Sequence, residues 1–486
     1  MKKFYRNMIL LLLALALAAT GLVACKKDTP DLGKDSTGTG TKEAQTTNET
    51  GYAPLENRDF GEKTFNVLLR SEYKDEFDIQ EETNTPVPDA VYRRNQRVEE
   101  LYGLHLKFTD VVDDWDHRDT FTNAIHQSVI LDDSTAYDFI IGAQSYIAFN
   151  VANGDLQNLN EIPHLTLDAP WWGQQAVDAL TINNVCYQAT GDFAVSMLES
   201  MNCVYFNKAL KEENQVADLY EAVNNKKWTH DMMVSISKDI NTDLNDNGYA
   251  DDEDKYGLVA WQTEVRSAIV IYNTPTLTKE GRIIWNTAHT QSVAEKIVDA
   301  FNEHSGIYYT EKTNEAQDIF FNGRAMLLWG RLDSASVLRE MVDDFGIIPC
   351  PMFDEAQDEY YTTSNDASMV CVPVTKNKDV EEIGFVIEAI CRESTDTVAE
   401  TFYKKALTTR NAPDVESAKM IDLIRRSLTY DFGWVYSTQT GVSGNQYQIM
   451  MNEDNTNFSG WYASQESVIN GKLKDCFALF GVELED

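Results

Sequence analysis

Positive charge is scarce in this chain: 41 Lys and Arg stand against 78 Asp and Glu, a formal net charge of -37. Such a surface repels phosphates, which excludes nucleic acid as a partner and disfavours phosphorylated ligands while leaving neutral and cationic ones open. Paired cysteines are missing as well. None of the 7 Cys lies in a C-x-x-C pair. Those beyond Cys25 fall mostly in apolar runs such as Val370-Cys371-Val372, so they read as buried free thiols acting as small hydrophobes. The 7 His are scattered without metal spacing, and even His117 and His126 do not share a helix face. No G-x-S-x-G, H-E-x-x-H or phosphate-cradling glycine loop occurs, so the common signatures of hydrolytic and nucleotide-dependent enzymes are absent. A binder is expected here, not an enzyme.

A long apolar run opens the chain. Lys2, Lys3 and Arg6 precede Met8 to Ala19, the layout of a secretory signal peptide over residues 1–24 and not of a span in the mature protein. Leu22-Val23-Ala24-Cys25 resembles the bacterial lipoprotein signal, which implies acylation of Cys25 and a lipid anchor on the extracellular side of the cell membrane. Two acyl chains on one residue hold a protein to a bilayer far more firmly than a single myristoyl chain. Ordinary secretion, with Cys25 an incidental thiol, is the alternative. Removal of the three basic residues of the signal takes the net charge from -37 to -40. Residues 25–59, rich in Thr, Gly, Asp and Lys, bury too little surface to offset their ordering entropy and are expected to form a flexible linker.

From Phe60 on, the pattern is that of alternating strands and helices. Lys63 to Leu69 reads as a mostly buried strand ending in the polar loop Arg70-Ser71-Glu72-Tyr73. A helix after Pro88-Asp89 carries Val91, Val98, Leu101 and Tyr102, and Gly103 closes it at a position that tolerates a left-handed turn. Leu104, Leu106 and Phe108 alternate in a second strand. Phe121, Ile125 and Val129 share a second helix face, and Tyr137 to Gly142 is a third strand, ending in Ala143-Gln144-Ser145-Tyr146. These are βαβ units of an α/β fold, in which ligands gather at the carboxyl ends of the strands. Glu72, Tyr73, Gln144 and Ser145 are therefore expected at a cleft. Asn183 to Gln188 reads as a hairpin strand, and Thr287 to Phe301 as a helix.

Asp243 to Asp254 fits the twelve-residue calcium loop. Asp243, Asn245, Asn247, Asp251 and Asp254 supply side-chain oxygens, Tyr249 a backbone carbonyl, and Gly248 the sharp turn. Asp254 stands where the EF-hand loop has Glu. A strand, Lys255 to Ala260, follows in place of a second helix. An isolated structural Ca²⁺ site is the expectation, against an ion-free polar turn.

The motifs "YDFII", "GDLQNL", "VYFNK", a "WT" helix start, "FFNGRAML" and "GIIPCPMF" occur in that order between Phe65 and Trp434. In this order they resemble the family 1 extracellular solute-binding proteins of ABC importers, which include oligosaccharide-binding members. Two departures are Phe206 in place of the usual Tyr and a link from Lys208 to Trp228 without the customary Gly and Pro. The resemblance implies a two-lobed, type II periplasmic-binding-protein-like fold with an interlobe ligand cleft and hinge crossings. It divides the chain into 60–202, mainly the N-terminal lobe; 203–365, mainly the C-terminal lobe; and 366–486, a hinge return and C-terminal helices. It also implies a monomeric, membrane-anchored receptor that captures a carbohydrate and delivers it to an ABC permease. Glu199, Asn202, Trp261, Trp329, Arg331, Asn365 and Trp434 join the expected ligand contacts. A secreted carbohydrate-active hydrolase, or a receptor for a peptide or other small solute, is the competing reading.

Overall fold

The computed structural model describes residues 52–484, apart from positions 134, 313, 376–378, 408–412 and 443. The signal peptide, Cys25 and most of the 25–59 linker lie outside the described residues. Ten strands are present among them: β1 (Lys63–Arg70), β2 (Leu104–Val111), β3 (Phe139–Ala143), β4 (Asn202–Asn207), β5 (Asn241–Thr242), β6 (Lys255–Trp261), β7 (Ile307–Thr310), β8 (Ala325–Arg331), β9 (Phe345–Pro349) and β10 (Ser368–Cys371).

They form two sheets. In the first, of order β10-β3-β1-β2, β1 is parallel to β2 and β3 while β10 returns antiparallel. The βαβ reading rests on the helices Pro86–Tyr102 and Arg118–Ile130, which carry the chain between these parallel strands. Gly103, at φ 57°, ends the first helix in the left-handed turn that a side chain would strain. Every residue of β3 is buried, as parallel strands covered on both faces must be. At Gly142 a Cβ would lie 2.7 Å from the Phe121 ring, so glycine lets the second helix press directly on the sheet.

The second sheet has the order β5-β6-β8-β4-β9, with β7 added beside β6. Strands β6 and β8 are parallel and β4 runs against β8 and β9. Helices Ala288–Asn302 and His230–Ser237 belong to this half. Each starts at a threonine whose hydroxyl accepts from a backbone N–H: Thr287 from Thr290 at 3.1 Å and Thr229 from Met232 at 3.3 Å.

Between the sheets, crossing segments run side by side. Asn202 N donates to the Thr363 carbonyl at 3.2 Å, Thr362 N to the Ser427 carbonyl at 2.9 Å and Thr429 N to the Thr362 carbonyl at 2.8 Å. The Ser200 and Ser364 hydroxyls meet at 2.7 Å, and Thr362 Oγ1 donates to the Asn202 carbonyl at 2.8 Å. Residues 200–202, 362–365 and 427–429 thus form a narrow hydrogen-bonded hinge. The six cysteines among the described residues are buried and unpaired with one another. No helix among the described residues is long and apolar enough to cross a membrane.

One expected element differs. Asn183 to Gln188 is not a strand: Ile182 bridges Val185 across Asn183 and Asn184, both at positive φ, so the segment is a tight turn. Two successive asparagines tolerate that backbone where branched residues would not.

Candidate functional site

The carboxyl ends of β1, β2 and β3 form one rim. Arg70, the last residue of β1, is 1% exposed, and a buried guanidinium needs counter-charges. It has them: Nε lies 3.0 Å from Asp113 Oδ2, and Nη2 lies 2.7 Å from Asp366 Oδ1 and 3.3 Å from Glu72 Oε2. Nη1 donates to the Asp366 carbonyl at 3.1 Å, and the Tyr73 ring stacks 4.5 Å from the guanidinium carbon. Burial opposes the charge on Arg70, but Asp366 and Asp113 outweigh it and raise its pKa. Burial pushes Asp113 up to about 6 in spite of Arg70. Burial, and then Asp366, likewise hold Glu72 above the usual carboxylate range. Tyr146 shares the field of Asp366, Asp113 and Arg70.

The opposing rim comes from the ends of β6 and β8. Trp261 closes β6, Glu264 follows in the turn Gln262–Val265, and Arg331 closes β8. Arg331 is held loosely, with Nε 3.6 Å from Glu264 Oε1 and Nη2 3.5 Å from Asp333 Oδ2. Burial opposes its charge, and Glu264 and Asp333 reverse that and raise it. Trp261, Glu264, Arg331 and Asp333 line a depression of about 300 Å³. The two rims feel each other: Arg331 acts electrostatically on Glu72 and Tyr73, and Asp366 acts on Arg331. Asn365, on the hinge, joins them by donating from Nδ2 to Glu264 Oε2 at 2.9 Å. A larger hollow of about 600 Å³, between the helix Val415–Arg426 and Tyr360, shares none of these residues.

Glu72, Tyr73, Trp261, Arg331 and Asn365 are thus brought together, and Ser145, half-buried beside Tyr146, belongs to the first rim. Trp329 is placed otherwise. It is 1% exposed in β8, with its ring 6.4 Å from Tyr272. It is one of the residues lining the depression, but at 1% exposure it forms the floor and offers little of its ring for stacking. Gln144 and Asn202 are buried hinge supports: Gln144 Nε2 donates to the Ser364 carbonyl at 2.9 Å, and Asn202 Oδ1 accepts from Ser267 Oγ at 3.0 Å. Glu199 is half-buried at the end of the turn Ser196–Glu199, leading into the first crossing. Trp434 packs against Gly444, where a Cβ would meet its ring at 2.4 Å and the Arg266 carbonyl at 2.3 Å.

Sequence reasoning missed Arg70, Asp113, Glu264, Asp333 and Asp366 as site residues. It also missed Trp115, 63% exposed in the loop after β2, with Arg118 stacked 4.4 Å from its ring. The signal for Trp115 was present, since a large indole in a polar loop at the carboxyl end of a strand is a ready stacking platform.

The acidic loop curls on itself. Asp243 Oδ2 accepts from Gly248 N at 2.9 Å, Asn247 Oδ1 from Tyr249 N at 2.7 Å, and Asp251 Oδ2 from Asn247 Nδ2 at 2.6 Å and Asn245 Nδ2 at 3.1 Å. Gly248 takes the left-handed φ of 75° that its position requires. Asp254 is buried and caps the loop by accepting from Leu244 N at 3.0 Å. Tyr249 turns its ring to solvent at 78% exposure, leaving its backbone as the group that faces the loop's neighbours. Elsewhere, Glu56, His164 and Glu381 bring ligand-type atoms together, but the Arg58 guanidinium donates to the same Glu381 oxygen at 2.6 Å. That pairing, and then His164, draws Glu381 down to about 2, so the cluster is an ion-pair network.

No family model matches the chain, and no curated protein matches its sequence. Solved structures do match. An ABC substrate-binding protein from Listeria monocytogenes in complex with cycloalternan aligns at a TM-score of 0.52 and 10% identity, covering 87% of this chain and 100% of its own. UgpB from Mycobacterium tuberculosis in complex with glycerophosphocholine aligns at 0.56 and 12% identity, with 85% and 98% coverage. The cyclic alpha-maltosyl-1,6-maltose binding protein from Arthrobacter globiformis aligns at 0.54 and 14% identity, with 86% and 99% coverage. Identities this low speak to architecture alone, and over nearly the full length of each of these structures the architecture agrees. The chain has the two-lobed α/β fold of the ABC solute-binding proteins.

Proposed function

We propose that this protein is a solute receptor that captures a carbohydrate between its lobes and delivers it, chemically unchanged, to an ABC permease. The observation that carries this reading is the meeting of two charged rims at the hinge, where Asn365, next to Asp366 of the first rim, donates to Glu264 of the second at 2.9 Å and Arg331 and Asp333 lie across from Glu72 and Tyr73. A ligand touching both rims favours the closed arrangement by as much as it binds that arrangement better. The loosely held Arg331 guanidinium and the carboxylate acceptors suit hydroxyl groups, and the Trp115 and Trp261 rings suit the apolar faces of sugars. Three neighbours of this fold are solved with a cyclic oligosaccharide, with maltose and with maltotetraose. Acylated Cys25, with residues 25–59 as a linker, would hold the receptor as a monomer on the extracellular side of the cell membrane.

Calcium belongs to the same reading as a stiffener of the second lobe. Asp243, Asn245, Asn247, Asp251, Asp254 and the Tyr249 carbonyl would hold the ion once the two amides turn their oxygens inward, an orientation open to Asn side chains. A divalent cation would offset the repulsion among the clustered carboxylates.

A hydrolase is the second reading, because Glu264 and Glu72 are carboxyls held above their usual range by burial, as a general acid requires. Titration of the full-length protein with mono- and oligosaccharides, in a detergent without a sugar headgroup, separates the two. Saturable binding with the sugar recovered intact is expected. Cleaved sugar would replace the receptor with an enzyme, and absence of binding across the panel would overturn both.

A further inference from the structure

The charge of the cleft narrows the ligand, if the receptor reading holds. Arg70 is spoken for by charge: it lies in ion-pair contact with Asp113, Glu72 and Asp366 and also donates to the Asp366 carbonyl. It is also almost inaccessible, as are Asp113 and Glu264. The charged side chains at the cleft that a ligand can reach are Glu72, 52% exposed, Asp333, 34%, Asp366, 23%, and Arg331, 26%, with Arg118, 30%, beside them at Trp115. Counted with the buried groups, the five carboxyl groups of Glu72, Asp113, Glu264, Asp333 and Asp366 stand against the three guanidiniums of Arg70, Arg118 and Arg331, and Arg331 is itself shared between Glu264 and Asp333. Unpartnered buried atoms beside the cleft are of both kinds: Gln144 Oε1 and Asn365 Oδ1, both next to the hinge carbonyl of Ser364, have no donor, and Arg70 Nε and Arg118 Nε have no acceptor. The neighbouring hydroxyls of Tyr73 and Tyr146 are held neutral by burial and add no charge.

A site with an excess of negative charge repels uronic acids and phosphates, tolerates neutral polyols and gains most from a cationic donor. We infer that the preferred ligand is a sugar bearing an ammonium group, an amino sugar or an oligosaccharide containing one, with the ammonium held by Glu72, Asp333 and Asp366. An ammonium donates up to three hydrogen bonds and no acceptor, which matches a cluster short of donors. Its attraction to partly buried carboxylates is strong at a few ångströms and weakens with salt.

The test compares sugars that differ at one position. The full-length protein is titrated calorimetrically with glucose, glucosamine, N-acetylglucosamine and glucuronate, and with the β-1,4-linked trimers of the first three. The amine is expected to bind at least tenfold more tightly than its hydroxyl and acetamide counterparts at low salt, with the gap narrowing in high salt, and glucuronate to bind worst. In Asp333→Asn and Glu72→Gln, checked by melting temperature for intact folding, the ratio of amine affinity to neutral-sugar affinity is expected to fall at least threefold, and an unchanged ratio in both variants would overturn the inference. Equal or tighter binding of the neutral sugars by the wild type would overturn this inference and leave the receptor reading standing. Failure of every sugar to bind would remove the receptor reading and this inference with it.

Discussion

Arg70 and Arg331 end equivalent strands of the two sheets, yet they differ in what they can give up. Arg70 neutralises Asp113, which has no exposed surface, so Arg70→Ala leaves a buried carboxylate uncompensated and is expected to cost about 3–5 kcal/mol of stability. Thermal unfolding measures this as a large drop in melting temperature whether or not ligand is present. Arg331 lies 3.5 Å or more from both of its carboxylate partners and is a quarter exposed. Arg331→Ala should therefore spare most of the stability and weaken ligand binding tenfold or more. His230 supplies a test of pH dependence. Burial, and then the Lys296 charge, lower its pKa from 6.5 to about 4, while Nδ1 meets the Tyr272 hydroxyl at 2.8 Å. The unfolded chain then takes up a proton that the folded one refuses, so stability from this group is lost as pH falls from 6.5 through 4. His230→Gln should unfold with a shallower loss of melting temperature than the wild type between pH 7 and pH 4.5, and parallel curves would contradict the assignment. At this scale the sequence was only partly informative. Glu72 and Tyr73 were legible because they follow the carboxyl end of an apolar strand, and Arg331 through the family resemblance. Arg70 and Asp366 are 296 residues apart, and no local pattern announces such a pair. For Trp329 the sequence could not tell how much of the ring is open, because that depends on what packs against the faces of the sheet, and in the structure it lines the depression while 1% exposed.

The elements themselves were more legible. Alternation in Leu104, Leu106 and Phe108, the apolar runs of β1, β3 and β6, the glycine stop at Gly103 and the threonine start at Thr287 each have a local cause, and the structure realises each of them. Thr287→Ala removes one such cause and should cost about 1 kcal/mol, read from chemical denaturation. The hinge was harder to see, since Thr362, Ser364, Ser200 and Ser427 are unremarkable polar residues until three segments distant in sequence lie side by side. The acidic loop is the element whose role an ion would decide. If it binds calcium, addition of Ca²⁺ to chelator-treated protein should raise the melting temperature, and Asp243→Ala should abolish that rise while changing low-temperature ligand affinity little. A melting temperature indifferent to Ca²⁺ would leave the loop as an ion-free turn.

For the molecule as a whole, two sheets, a narrow hinge and facing charged rims make a cleft whose walls move relative to one another when the hinge bends. Fold alone does not assign function, so the account rests on one claim, that a ligand is held by both walls at once. The most direct measurement is the dissociation constant of one sugar for the wild type, for Tyr73→Ala on the first rim, for Arg331→Ala on the second, and for the double variant, each confirmed as folded. The account predicts that each single substitution weakens binding tenfold or more and that the double variant departs from additivity, because loss of either wall loosens the grip of the other. Binding that survives either single substitution unchanged would place the ligand on one lobe and contradict capture between them.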